Sequence, residues 1–225
     1  MTIIPFGTGG QGGVAQSDPG RTLRSLYRHA VKRVLDLAVI VAAAPVVVPL
    51  VAVLALLVRR DGGPAFYVQE RVGLDGRVFR MWKLRSMVVD AEARLAAHLE
   101  ADAEARAEWD ETQKLRCDPR ITRVGRILRK ASLDELPQLW NVVRGDMSLV
   151  GPRPMMTCQR ALYPGTAYYA LRPGITGYWQ TAGRNRTSFE ARADFDAAYL
   201  SDLSLVTDLR VLARTVSVVL RGTGC

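Results

Sequence analysis

From Leu37 to Val58 every residue is apolar, a run long enough to cross a bilayer by the roughly 20-residue rule. Pro45 and Pro49 fall near its middle, where each removes a backbone donor and crowds the preceding turn. Both flanks are cationic, with Arg28, Lys32 and Arg33 before the run and Arg59 and Arg60 after it. Positive flanks favour the cytoplasmic side, so both ends are expected there. A helix broken at Ala44-Pro45, with Pro49 close behind, that dips into one leaflet and returns satisfies both observations. A straight, proline-kinked span remains open as the simpler reading. A buried core helix fits poorly, because no other stretch could cover so long an all-round apolar surface.

The rest of the pattern predicts short elements. Residues 1–24 hold a Gly-rich stretch without apolar period and read as a disordered arm; they lack the features of a secretory signal. The membrane element takes 25–60, and a cytosolic domain takes 61–225. Ala65 to Gln69 and Arg77 to Trp82 alternate as strands around the turn Leu74-Asp75-Gly76, a hairpin that delivers Lys83 and Arg85. Val89 to Trp109 favours a single helix by composition. In 123–130, Val124, Ile127 and Leu128 fit one helical face beneath a basic surface suited to lipid. Leu136, Leu139, Trp140 and Val143 form another apolar face, ended by Gly145-Asp146, and Met147 to Val150 reads as a strand feeding a rigid turn around Arg153. Phe189 to Leu200 and a terminal segment with Leu209, Leu212, Val216 and Val219 read as helices. The expected class is α+β, mostly helical: a re-entrant membrane hairpin plus a small domain of short strands and amphipathic interfacial helices.

Charge narrows the partners. Lys and Arg number 31 against 22 Asp and Glu, a formal charge of +9, which favours phosphorylated substrates, phospholipid or nucleic acid. Aromatic content is 7% and no nucleic-acid-reading motif occurs, so nucleic acid is not expected. Cys117, Cys158 and Cys225 show no CxxC spacing and suggest neither disulfides nor zinc. With His29 and His98 as the two histidines, histidine chemistry has little room.

Asp134 and Glu135 stand between Arg120, Arg123, Arg126, Arg129 and Lys130 on one side and Arg153 on the other. An acid pair in so basic a setting suits reaction at phosphorus, where anionic nucleophile and substrate otherwise repel. Ser132-x-x-Glu135 also matches a helix capping box. Pro137 weighs against that cap, since it would fall inside the helix; a helix starting at Asp134 places the proline harmlessly and leaves backbone donors for a phosphate. Both readings stay open on these residues alone.

Taken together, Gln69-Glu70-Arg71-Val72-Gly73, Lys83-Leu84-Arg85-Ser86-Met87, Ser132 to Gln138, Gly145 to Pro154 and Pro173-Gly174-Ile175-Thr176-Gly177 closely resemble the bacterial sugar transferase family, the monotopic polyprenyl-phosphate phosphoglycosyl transferases. The resemblance runs from about Tyr27 to the C-terminus. It implies a covalent mechanism: Asp134 attacks the β-phosphorus of a UDP-sugar, UMP leaves, and polyprenyl phosphate, as undecaprenyl phosphate, takes the phosphosugar to start exopolysaccharide or related glycan assembly. It further implies Mg²⁺ with Asp134 as ligand, and Glu135 acting on the metal or on the acceptor's proton. Lys83, Arg129, Arg153 and Arg184 match phosphate- or substrate-binding positions, with Arg85, Asp196 and Asp208 in support. The implied place is the cytoplasmic face of the bacterial inner membrane with both termini cytoplasmic; a homodimer is left open.

One departure stands out. Relatives often carry Ser-Pro at the helix break, where this chain has Ala44-Pro45, so a bending serine hydrogen bond is missing. Without an extra multi-span region, the chain resembles the small, catalytic-domain-only form, and its ending resembles members using UDP-galactose or UDP-glucose. A non-catalytic membrane-anchored anion-binding scaffold of a polysaccharide export system accounts for charge and apolar run, but not for the acid pair.

Overall fold

Lys32–Val58 folds as one α-helix (α1) with both prolines inside it. It runs through Ala44-Pro45 without ending there, because losing single backbone bonds bends a helix more readily than it terminates one. The computed structural model describes residues 26–112, 115–182 and 189–220, so the N-terminal arm lies outside the described residues. The 30 residues Lys32–Asp61 have a mean hydropathy of 2.8 over their most apolar window, with 11% of that window buried. So exposed an apolar helix is not the core of a water-soluble body, and it marks the chain as membrane-associated.

Both ends of α1 are fastened to the same body. At its start, the Lys32 ammonium and the Tyr27 hydroxyl donate to Asp208, and Asp36 accepts from the Ser148 hydroxyl at 2.6 Å and the Leu149 amide at 3.3 Å. Arg33 donates to the carbonyls of Val142 and Val143, carbonyls in the last turn of a helix, where intrahelical partners run out. At its finish, Val58 packs with Leu84 and Leu128, while buried Arg85 donates to Asp61 and to the carbonyls of Val58 and Pro64. Between these moorings Val41, Val46, Val48 and Val53 are exposed.

Phe66–Val72 (β1) and Val78–Leu84 (β2) pair antiparallel, Phe66 opposite Leu84 and Val72 opposite Val78. The hairpin is longer than its alternation suggested. Its turn is where expected, with Asp75 at φ 55° and Gly76 at φ 75°. Phe79 and Met81 are buried, and two-residue periodicity puts Lys83 next on their face. Cross-strand register adds Gln69 and Arg71 to that same face.

The expected single helix over 89–109 is two, Ala91–Ala101 (α2) and Ala103–Thr112 (α3). Asp102 between them takes an extended conformation and its carboxylate accepts from the amides of Glu104 and Ala105 at 2.9 and 3.0 Å. A side-chain N-cap thus restarts the helix where composition favoured continuation.

Arg123–Lys130 (α4) is capped by the Thr122 hydroxyl on the Gly125 amide at 2.8 Å. Leu128 is buried, whereas Ile127 is exposed, so the predicted three-residue face does not pack as a unit. Gln138–Arg144 (α5) turns Gln138, Asn141 and Val142 inward and leaves Trp140 and Val143 exposed, a correction to its expected apolar face. The polar exception is accounted for: Asn141 accepts from the Trp82 amide at 3.0 Å and donates to the Arg80 carbonyl at 2.7 Å. Burial of an amide costs little when its groups are bonded, and here it fixes α5 to β2.

Ser148–Val150 (β3) lies parallel to Gly174–Thr176 (β4), a pairing the turn-rich sequence around Gly174 did not reveal. Tyr178–Ala182 (α6), Arg192–Asp202 (α7) and Leu205–Leu220 (α8) complete the α-helices of the described residues. The main core joins Ile40 of α1 to Phe79, Met81, Val142, Met147, Tyr199 and Val211. On α8, Val211 is buried and Leu212 packs against the main core, while Leu209 and Val216 are exposed.

Asp208 also accepts from Tyr199 at 2.6 Å, so Asp208→Ala strands a buried lysine and two hydroxyls. Losing one partner of a buried ion pair typically costs about 3–5 kcal/mol. A clear drop in thermal midpoint of the detergent-solubilised protein is expected; an unchanged midpoint would show that Asp208 is no anchor.

Candidate active site

Pro137 shapes the local backbone. Having no amide hydrogen, it cannot continue the ladder, and the chain tightens into a 3₁₀ turn over Leu133–Glu135 before α5 begins at Gln138. The Leu136 amide donates to the Leu133 carbonyl at 3.3 Å. Asp134 therefore sits in a pre-helical turn and not at a helix N-terminus. The capping box is also not formed: Ser132, at φ 55°, makes no side-chain cap, and Glu135 reaches Lys83.

The Lys83 ammonium lies 2.9 Å from Glu135 Oε1 and 3.8 Å from Asp134 Oδ2. One cation at the end of β2 thus serves two adjacent carboxylates. Asp134 is 8% exposed, and burial pushes its carboxyl above the usual range; Lys83 and Arg129 pull the other way and Glu135 adds to the rise. The aspartate is held as an ion at a cost, with its basicity raised.

Arg129 is set by a close backbone approach. A Cβ on Gly125 would lie 1.9 Å from the Ser86 carbonyl oxygen, so only glycine lets α4 press onto that segment. Arg129 Nε then donates to Ser86 Oγ at 3.0 Å. Leu133 packs against the cluster of Val58, Leu84 and Leu128 that Leu54 and Ala55 of α1 also join, placing the acid pair beside the end of the membrane helix.

Away from that end, Glu135 and Lys83 open into a cleft of about 280 Å³ that Arg71, Gln138 and Arg153 also line. Arg153 is delivered by the Pro-Arg-Pro turn after β3, which closes tightly on β4: a Cβ on Gly174 would lie 2.1 Å from the Gly151 nitrogen. The Arg153 guanidinium lies over the Trp179 ring at 5.5 Å.

The structure brings together Asp134, Glu135, Lys83, Arg129 and Arg153. It assigns Arg85 to the end of α1 and Asp208 to its start, both outside the cleft. Asp196 is buried on α7, accepts from the Tyr163 hydroxyl at 2.9 Å, and is pushed up to about 7 by burial. Arg184 lies outside the described residues. Arg71 and Gln138 were quoted in motifs but given no role; two-residue alternation from Lys83 across the hairpin was the signal for Arg71.

Among the described residues no group of three or more His, Cys, Asp or Glu side chains gathers around one point. Two adjacent carboxylates at a cleft do suit Mg²⁺, which is commonly held by one or two carboxylates together with substrate phosphates.

A family model described as bacterial sugar transferase matches residues 27–222. A protein of Erwinia amylovora named UDP-galactose-lipid carrier transferase is 47% identical over 209 residues, 91% of this chain and 44% of its own length. The undecaprenyl-phosphate galactose phosphotransferase of Salmonella typhimurium is 46% identical over 195 residues, 86% of this chain and 41% of its own. The chain thus spans less than half the length of these two relatives. It matches 87% of the exopolysaccharide production protein ExoY of Sinorhizobium fredii, at 41% identity over 86% of this chain.

A raised folded-state pKa makes an ionised carboxylate a stability cost that appears as pH rises from its unfolded to its folded value. Asp134→Asn removes that cost. In metal-free buffer the variant is expected to melt above wild type at neutral pH, with the gap closing as pH falls below the ordinary aspartate range. A gap constant with pH would disconnect it from Asp134 ionisation.

Proposed function

Because the chain belongs to the bacterial sugar transferase family, we propose that it transfers a sugar 1-phosphate from a UDP-sugar to polyprenyl phosphate at the cytoplasmic face of a bacterial membrane. The observation that carries this is the Asp134-Glu135 pair sharing Lys83, with the membrane helix on one side and an arginine-lined cleft on the other. A water-soluble donor and a lipid acceptor meet at such a boundary. The name of the Erwinia relative supports UDP-galactose as donor, and that of the Salmonella relative supports undecaprenyl phosphate as acceptor.

In this mechanism an Asp134 carboxylate oxygen attacks the β-phosphorus, the bond to the bridging oxygen breaks, and UMP leaves with the electron pair. A phosphate oxygen of the acceptor then attacks the same phosphorus and displaces Asp134, giving a polyprenyl diphosphosugar. Splitting one displacement into two lets a single buried nucleophile serve both substrates. Burial supports the first step by raising the basicity of Asp134. Lys83 restrains Glu135, whose part in this mechanism is on the metal or on the acceptor's proton, and Arg129 and Arg153 supply fixed charge for the spread-out negative transition state. Asp134 and Glu135 would hold Mg²⁺, which when bound neutralises charge on the transferring phosphoryl group.

The two-point docking of α1 supports re-entry over spanning. From Ile40, in the main core, to Leu54, beside Leu128, a straight helix covers roughly 20 Å at 1.5 Å per residue. That is shorter than the hydrocarbon core of about 30 Å, and both contacts are with one body.

The test is UMP release from UDP-galactose, UDP-glucose and their N-acetylated counterparts by full-length protein with undecaprenyl phosphate. Wild type is expected to release UMP, and Asp134→Asn to lose at least about a thousand-fold in rate, the scale of an essential nucleophile. Equal rates for the two proteins, or none with any donor, would sink the proposal. For topology, single cysteines at Arg28 and Arg60 in a cysteine-free background are expected to label from the cytoplasm alone; periplasmic labelling of either means that α1 spans.

A further inference from the structure

A second basic cavity lies at the start of α1. About 420 Å³ in volume, it is lined by Arg28 in the turn before α1, by Arg33 and Asp36 of α1 itself, by Ser148 of β3 and by Arg172. It shares no lining residue with the reaction cleft, and the chemistry above makes no use of it.

The arginines of this cavity are held in place without being neutralised. Arg28 donates to the Ala170 carbonyl, Arg33 to that of Val142 and, at 2.8 Å, to that of Val143, and Arg172 to that of Gly145 at 3.1 Å. These acceptors carry no formal charge. No ion pair within 4 Å joins Arg28, Arg33 or Arg172 to a described carboxylate. Two nearby acids are committed elsewhere: Asp208 to Lys32, and Asp36 to the Ser148 hydroxyl and the Leu149 amide. With Lys32 included, four cations stand against these two carboxylates. A guanidinium offers five N–H donors in one plane, and the bonds above engage one or two on each arginine. Three pinned forks thus line one cavity with donors to spare, and such forks match phosphate oxygens in pairs.

The surroundings say where that phosphate comes from. Arg28 and Arg33 stand just ahead of the apolar run, and Val34, the next residue after Arg33, is exposed. On α5, whose last carbonyls hold Arg33, Trp140 and Val143 are exposed as well; tryptophan in particular favours the level of lipid head groups. Exposed apolar side chains therefore flank the arginines where α1 enters lipid, the depth at which phospholipid phosphates lie. The surplus of positive charge selects a net-anionic head group over a zwitterionic one.

We propose that Arg28, Arg33 and Arg172 form a binding site for the phosphate of an anionic phospholipid, at the point where α1 enters the membrane. The site does not depend on the transfer reaction proposed above. A lipid held there bridges the approach to α1, α1 itself and the segment leading into β4, and so adds a tie beside the Lys32–Asp208 pair.

The experiment places full-length protein in phosphatidylcholine nanodiscs, adds phosphatidylglycerol in steps and follows the thermal midpoint, which rises when a ligand binds the folded state. The wild-type midpoint is expected to rise and saturate. Arg28→Gln and Arg172→Gln are each expected to raise the half-saturating phosphatidylglycerol fraction about ten-fold, the scale of one charge-assisted contact. Each variant is compared with itself across lipid compositions, so a general loss of stability does not imitate this shift. Arg60→Gln removes an exposed charge from the other end of α1 and is expected to stay within about two-fold of wild type, as surface attraction alone allows. Should a glutamine variant not fold, Arg28→Lys and Arg172→Lys, which keep the charge and lose the fork, carry the test with a smaller shift in the same direction. A wild type indifferent to phosphatidylglycerol, arginine variants that titrate like wild type, or an equal shift in Arg60→Gln overturns the site. The same rise from glycerol 3-phosphate or inorganic phosphate in phosphatidylcholine alone overturns lipid as its occupant.

Discussion

Two neighbouring carboxylates held by one ammonium group set the terms for this molecule. Burial raises the cost of keeping Asp134 ionised, and Lys83 and Arg129 offset only part of it. Every element near the pair contributes to that balance: β2 presents Lys83, α4 brings Arg129, and Pro137 keeps the acids in a tight turn where neither is absorbed into a helix cap. In the mechanism proposed above, the raised basicity of Asp134 and the cost of ionising it in place are the same physical fact.

The scaffold gains its precision from backbone contact. Gly125 against Ser86 and Gly151 against Gly174 bring chain to chain without intervening side chains, and buried Asn141 bonds α5 to β2 through two main-chain groups. Lys83 is held by its two carboxylates and Arg129 by Ser86, and charge fixed in this way is preorganised for the phosphoryl transfer proposed above.

Much of this was legible before any coordinates. The apolar run, the hairpin, the acid pair and its basic partners follow from patterns of period and charge, because local residues decide them. What was missed depended on tertiary partners. Asp102 splits a helix that composition favoured, since a carboxylate cap outweighs propensity at one position. The inward face of α5 carries Gln138 and Asn141, which simple apolar counting assigns to solvent. Pairing of β3 with β4 is non-local and rests on glycine-to-glycine closeness that no periodicity encodes. Arg85 and Asp208 were read as supports for chemistry, as their types allow, and are anchors for α1, a distinction only geometry makes.

The fastening of α1 at both ends to one body has a consequence for the host membrane. A helix that spans must match the bilayer's hydrocarbon thickness, tilting or deforming the lipid when it does not. Under the re-entry proposed above, α1 meets one leaflet and takes its depth from the Lys32–Asp208 and Arg85–Asp61 ties, so the protein itself sets the height of the acid pair above the lipid. In that arrangement the acid pair keeps a constant level when growth temperature or acyl-chain length changes the thickness of the membrane around it.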